Sequence, residues 1–441
     1  SAQAIPMAFA LLARAPSPQA LLDAANIGGD TDTIGAITGA ILGAALGFEV
    51  FVGRGLAQVE LASHLDLPSV ALELLELRAA HEPTASASTS PETEDSSEAD
   101  VPEVPAPASS SAPGAGRVVL MGQILVDRVL QGARPIHGGG SEWARDGGTH
   151  VGGGFNALVA ARRMGAEAVS LSPIGSGPHS SLIQAALEHE GITDLGPRIA
   201  GIDNGFCIAF TDRTGERTFI STKGAETMSP ASAWADFVRT MHPGDVLYID
   251  GYLMDHPANR EAAEAALRIL PEGVRVLLDV SPVIGIPSAL PSDGVIVSMN
   301  LREAQEIARQ RGDASDRNQC FQPREAARAM LSTLDRPVLL RAGAEGAYFV
   351  RSRDAALSAP DTDPSYIPTP RVEAIDTNGA GDAHSGVLAA SLALGIPTER
   401  ALLLANCAGA LSTTVVGPAS CPPRDQIEAA ADALEASTGE A

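Results

Sequence analysis

Short apolar runs alternate with amphipathic stretches through most of the chain. The runs at 118–121, 168–172, 246–250, 274–280, 295–298 and 338–341 are rich in Val, Ile and Leu, with almost no internal polar position. Between them lie 156–164, 180–190, 258–270 and 324–334, where apolar residues recur at helical spacing. Continuous apolar strands separated by helices predict a parallel sheet covered on both faces, an α/β unit. One region breaks the rhythm. Phe206 to Phe210 and Arg217 to Ile220 read as a hairpin turning around Gly215, and a hairpin inserted in an α/β unit is a natural lid.

The pattern changes near residue 80. From 80 to 116 the chain is Pro, Ser, Ala, Thr and acid, including the run Glu92-Thr93-Glu94-Asp95-Ser96-Ser97-Glu98. Such a composition buries too little apolar surface to offset its ordering entropy, which predicts a disordered linker. The expected organisation is a short helical segment at 1–79, the linker at 80–116 and a large α/β unit at 117–436. Within the first segment, 34–52 is apolar but dense in Gly and Ala and carries Glu49, which reads as a close-packed buried helix and not as a membrane span.

The formal net charge is −24, which excludes nucleic acid and anionic membrane as natural partners, because both are polyanions. Lys223 is the only lysine, so a phosphate loop built on a lysine is absent. Cys207, Cys320, Cys407 and Cys421 show no paired spacing, and with the acidity they lead us to expect reduced thiols in a cytoplasmic protein.

The segment Asp376-Thr377-Asn378-Gly379-Ala380-Gly381-Asp382 precedes a small-residue apolar stretch at 383–394. A glycine-rich turn feeding a helix N-terminus lets backbone N–H groups converge on an anion, and the helix dipole adds to the attraction. A carboxylate at that mouth fits a base that takes the proton of a hydroxyl attacking a phosphoryl group. The plainer reading is a tight turn with Asp382 as a first-turn acid.

This segment resembles the second signature of the PfkB, or ribokinase-like, carbohydrate kinase family. The resemblance implies a three-layer αβα domain with a small β lid, and ATP-dependent phosphorylation of a hydroxyl on a sugar or nucleoside. It implies Asp382 as the base and the Gly379, Ala380 and Gly381 amides as an anion hole. Other motifs follow in the family's order. Gly122 to Asp127 looks like the first strand with a substrate-binding Asp127. Gly152-Gly153-Gly154-Phe155-Asn156 is similar to the first signature, implying Gly152, Gly153 and Asn156 as sugar contacts. Asn300-Leu301-Arg302-Glu303 fits the motif that organises Mg²⁺ and phosphates, largely through water. Arg341 to Gly346, with Gly343, lies where family members bend a strand around the nucleotide, and Asn406 lies in the helix bordering the adenine.

On residue type alone, Asn300 and Glu303 read equally well as a helix cap and its first-turn acid. Family members also often bind K⁺, for which Asp376 is the candidate ligand here, and a homodimer through the lid is common among them. Three departures matter. Gly154 stands where ribokinases proper often carry Lys, which leaves the specific substrate open but not the reaction. His384 stands where many members carry Phe, and we expect it to pack and not to touch substrate. Arg341 stands where a Thr is usual, and either contacts a phosphate or points to solvent.

Gly28-Gly29-Asp30-Thr31-Asp32-Thr33 presents hard oxygen ligands on one turn, or a capped helix start. It looks like the metal motif of ADP-ribosylglycohydrolases, implying Asp30, Asp32 and Thr33 as ligands. Seventy-nine residues fall short of a complete domain of that kind. We therefore expect part of a longer bifunctional protein. The alternative function is an ADP-ribosyl hydrolase in which the kinase-like domain only binds nucleotide and regulates.

Overall fold

A computed structural model describes residues 116–134, 143–212, 217–311, 322–351 and 363–439, and near the N-terminus only Ala8, Ala10 and Thr38. The chain divides into two compact units, Ser1–Val101 and Pro102–Ala441. The Asp30-Asp32-Thr33 motif, the acidic 80–115 stretch, Cys320 and the turn around Gly215 lie outside the described residues.

The second unit is built on a nine-stranded sheet. Its strands are β1 (Arg117–Met121), β4 (Glu167–Ser170), β5 (Thr193–Asp194), β8 (Val246–Asp250), β9 (Arg275–Asp279), β10 (Val295–Asn300), β11 (Val338–Arg341), β12 (Ala347–Val350) and β13 (Ser365–Ile367). They run in the order β13-β12-β11-β10-β9-β8-β1-β4-β5. Pairings from β5 to β11 are parallel, and β12 and β13 add an antiparallel edge. Each apolar run named above is a strand of this sheet.

Side-chain alternation sends each strand's residues into two separate cores. Val118, Leu120, Val246 and Tyr248 pack on one face against α1 (Gly154–Arg163), α2 (Pro178–His189), α7 (Ala380–Ala393), α8 (Thr398–Ser412) and α9 (Arg424–Gly439). Val119, Met121, Leu247 and Ile249 pack on the other. There they meet α3 (Ala233–Val238), α4 (Pro257–Leu267), α5 (Leu301–Gln310) and α6 (Pro323–Leu334). This is the three-layer αβα arrangement. It also explains why the strands are apolar throughout: both faces are buried.

The second sheet is larger than a hairpin. It has four strands in the order β3-β2-β6-β7, comprising β2 (Ile124–Gly132), β3 (Ala144–Gly153), β6 (Phe206–Thr211) and β7 (Arg217–Ser221). The expected hairpin is β6–β7, antiparallel as read. The reading of 122–127 as the first strand needs correction. The core strand ends at Met121, and the chain leaves the central sheet at Gly122–Gln123 to begin β2 in the lid. The break has a cause: the Gln123 amide donates to the Asp250 carboxylate and the Ile124 amide to Ser172, so neither continues the core ladder. Gly152 and Gly153 end β3, and α1 follows at Gly154. Among the described residues, no helix is long and apolar enough to cross a membrane.

Candidate active site

Parallel strands direct their carboxyl ends to one edge of a sheet, and open α/β sheets bind ligands there. In this protein those ends carry chemistry. Asp250 ends β8, Asp279 ends β9, Asn300 ends β10 and Arg341 ends β11. Asp250 lies beside Asp279 and Asn300 beside Arg341 in register. A cleft of ≈ 980 Å³ opens over this edge, walled by the lid on one side and the first turn of α7 on the other.

The start of α7 is set by Gly379, with φ 74°. A Cβ there would lie 1.8 Å from the Pro418 carbonyl oxygen, so only glycine fits. The Asp376 carboxylate braces the turn, accepting from the amides of Asn378 (2.9 Å) and Gly417 (3.1 Å). No side chain caps α7, whose first amides a helix cannot satisfy internally, and Ala380 and Gly381 line the cleft.

Asp382 follows within the first turn. Its Oδ2 accepts from Asn156 Nδ2 at 2.9 Å, while Asn156 Oδ1 is buried without a hydrogen-bond partner. Burial raises the Asp382 carboxyl to about 6, the Asn156 bond and Arg341 opposing and the Asp279 and Asp127 charges adding. Asp127 enters from the lid and pairs in register with Cys207 on β6. Burial raises it to about 6 as well, with His150 pulling back. Gly152, on the neighbouring strand, must lack a side chain, because a Cβ would sit 2.0 Å from Asp127 Oδ2. Asp250 is raised furthest, to about 7, again by burial.

Asn300 and Glu303 form a full capping box at the start of α5. Asn300 accepts from the Glu303 amide, and both Glu303 oxygens accept from Asn300, from its backbone N–H at 2.7 Å and its Nδ2 at 2.8 Å. The cap reading is therefore correct, and the pair still lines the cleft. Among the described residues no three His, Cys, Asp or Glu side chains converge on a cation position.

Arg341 does not point to solvent. Its guanidinium grips the Asp279 carboxylate with two bonds of 3.0 Å, donates to the Gly381 carbonyl at 3.3 Å and lies 3.6 Å from Glu303 Oε2. Gly343 and Gly346 line the cleft beyond it. His384 is buried and also borders the cleft: its Nε2 meets Asn406 Oδ1 at 3.1 Å, and burial lowers its pKa to about 3, so it is neutral. Asn406 Nδ2 donates to the carbonyls of Ile367 and Pro368, which fixes the amide and makes its Oδ1 the acceptor. Asn406 therefore ties β13 to α8 and presents little to a ligand, although it borders the cleft.

The structure thus brings Asp127, Gly153, Asn156, Asn300, Glu303, Arg341, the α7 turn and Asp382 to one cleft. Gly152 stands behind Asp127, and Asp376 supports the turn from outside the cleft lining. Sequence reasoning missed Asp250, Asp279 and Ser385, whose hydroxyl donates to Asp279 Oδ2 at 2.8 Å. The available signal was a carboxylate closing an apolar strand, in Val246-Leu247-Tyr248-Ile249-Asp250 and in Arg275-Val276-Leu277-Leu278-Asp279.

The family model for pfkB family carbohydrate kinases matches residues 116–425. The chain belongs to this family. The kinase is 31% identical over 321 residues to the uncharacterized sugar kinase YegV of Escherichia coli, covering 70% of this chain and 92% of that one. It is 23% identical over 318 residues to ribokinase of Schizosaccharomyces pombe, covering 69% and 94%. A crystal structure of ribokinase from Thermotoga maritima shares the fold with a TM-score of 0.58 at 22% identity, covering 71% of this chain and 98% of that chain. The Arabidopsis thaliana ribokinase structure, complexed with ribose and ATP, gives 0.57 at 21% identity, covering 72% and 99%. A second family model, ADP-ribosylglycohydrolase, matches residues 1–84 of the kinase chain.

Proposed function

We propose that the kinase transfers the γ-phosphoryl group of ATP to a hydroxyl of a sugar or nucleoside, with Asp382 as general base. The observation that carries this reading is a single arrangement. A half-buried carboxyl with a raised pKa stands in the first turn of an uncapped helix, hydrogen-bonded to Asn156 and opening on a cleft that Asp127 enters from the opposite side.

Asp127 and Asn156 hold the acceptor. Asn156 Nδ2 is committed to Asp382, so its unpartnered Oδ1 receives a hydroxyl of the substrate. Asp382 removes the proton of the attacking hydroxyl as its oxygen forms the new bond to phosphorus. The bond from the γ-phosphorus to the bridging oxygen breaks, and ADP leaves with that electron pair. The amides of Gly379, Ala380 and Gly381 stabilise the charge spread over the transferring group. Each Glu303 oxygen accepts one hydrogen bond, and Glu303 would serve an ATP-borne Mg²⁺ largely through water. K⁺ beside the Asp376 turn, the 117–436 kinase boundary and pairing of lids in a homodimer belong to the same proposal.

The test is ADP production with Mg²⁺ and K⁺ across ribose, fructose, adenosine, inosine, pseudouridine and ADP-ribose. A signal that depends on one acceptor supports the reading; silence with ATP bound shifts the weight to a regulatory role of the kinase domain. The match of 1–84 to ADP-ribosylglycohydrolases favours a second reading, hydrolysis of a ribosyl bond in a longer chain with the kinase domain regulating. Release of free ADP-ribose by the full chain would support that one.

The raised carboxyls make a pH prediction. Asp382 acts only when ionised, so kcat/KM is expected to fall as pH drops, with an apparent midpoint between 6 and 7 and not near 4. The fall should be shallower than a single ionisation, because the neighbouring acids repel one another and protonating one lowers the pKa of the next. A rate profile flat from pH 8 to 5.5 would exclude the buried base.

A further inference from the structure

The cleft lining holds five carboxylates, Asp127, Asp250, Asp279, Glu303 and Asp382, and two cations, Arg341 and Arg371. Arg371 is exposed, whereas the Arg341 side chain is 13% accessible and Asp279 5%. Arg341 is therefore the buried positive charge of the site among the described residues, in a chain whose one lysine lies elsewhere.

Its contacts join four separate pieces of the fold. From the end of β11 it reaches Asp279 at the end of β9, Glu303 in the first turn of α5 and the Gly381 carbonyl in the first turn of α7. Ser385, one turn further along α7, fastens the same Asp279. The helix that carries the anion-hole amides is thus tied to the sheet at two points, both through Asp279 and one of them through Arg341. Nη1 of Arg341 donates to Asp279 and to Gly381, and Nη2 donates to Asp279.

We infer that Arg341 is a positioning residue for phosphoryl transfer: its guanidinium, held by Asp279, fixes the first turn of α7, and with it Asp382, against the sheet. This rests on Asp382 being the base. Burial alone would lower the Arg341 pKa, but Asp279 and Glu303 outweigh it, so the cation persists at any working pH. The groups facing Asp382 are Asp127 from β2, Asn156 from α1, Tyr248 and Asp250 from β8, Tyr252 from the turn after β8, Asp279 from β9 and Arg341 from β11. Arg341 is the one cation in that set, and its charge favours the carboxylate form.

Arg341→Met is expected to lower kcat on the order of 10²-fold through misplacement of the turn, with KM for ATP little changed. The acid limb of its kcat/KM profile should move up by about one pH unit, since a neighbouring Arg lowers a carboxyl by that order. Two companions keep the test decisive if that variant does not fold. Arg341→Lys retains charge without the two-pronged grip, so its acid limb should stay in place while kcat falls. The double variant Arg341→Leu with Asp279→Leu removes opposite charges together, so its acid limb should also stay near the parent's while kcat remains low.

A parental kcat in Arg341→Lys and in the double variant overturns the inference. So does an Arg341→Met whose only change is a raised KM for ATP, which would make Arg341 a direct phosphate ligand. Asp382→Asn separates the two levels. If it retains turnover, the base assignment fails and this inference with it. If it is inactive while Arg341→Met keeps the parental acid limb, only the role of Arg341 fails.

Discussion

Asp382→Asn is expected to bind ATP as the parent does and to lose turnover on the order of 10²–10⁴-fold. The substitution is nearly isosteric and keeps an oxygen to accept from Asn156, now at 2.9 Å, so the wall of the cleft persists. It removes a negative charge from a set of neighbouring acids, which lowers repulsion and leaves stability equal or higher. What it takes away is the ability to accept a proton from the attacking hydroxyl. Isothermal titration with a non-hydrolysable ATP analogue, beside steady-state kinetics, separates the two effects. Equal loss of binding and turnover would mean that Asp382 serves the nucleotide and not the chemistry.

Gly379→Ala should have the next largest effect. The residue sits at φ 74°, where a Cβ costs about 1–2 kcal/mol by itself. The added carbon would also meet the Pro418 carbonyl at 1.8 Å, so either that loop or the start of α7 must move. Both moves displace the amides proposed to face the transferring group, and a displacement of about 1 Å is enough for a loss near 10²-fold in kcat. Gly395→Ala is the control. Gly395 has φ 75° at the far end of the same helix, and a methyl added there would meet nothing within 4 Å. Thermal melting should show both variants destabilised, whereas kinetics should show a loss only for Gly379→Ala. Equal kcat losses in the two would trace the effect to general destabilisation.

These residues could be read in advance because their signal is local. The turn at 376–382 carries its glycines, its acid and its following helix within one stretch of sequence, and the capping box of Asn300 and Glu303 spans four residues. The central sheet was legible for a similar reason: strands buried on both faces are apolar along their whole length. The lid was half legible. Phe206 to Thr211 and its partner strand are rich in β-formers, whereas Ala144–Gly153 reads Ala-Arg-Asp-Gly-Gly-Thr-His-Val-Gly-Gly and shows no alternation. Its place is set by pairing with β2, which no local pattern announces. Arg341 failed for the same physical reason. Its partner Asp279 stands 62 residues earlier, on a strand two places away in the sheet, and only the assembled edge brings them together.

The junction at Gly122–Gln123 has a consequence for how this sequence can drift in length. Asp127 is the fourth residue of β2, and a strand turns successive side chains to opposite faces. One residue added or lost between Gln123 and Asp127 would therefore aim the carboxylate away from the cleft and put a neighbour in its place. Beyond the end of β2 no such parity rule applies. The connection between β2 and β3 can lengthen or shorten freely as long as Gly152 still lands opposite Leu125. Indels among the kinase's relatives should accordingly cluster in that connection and avoid 123–127, a bias that a collection of aligned sequences would display without any enzyme being assayed.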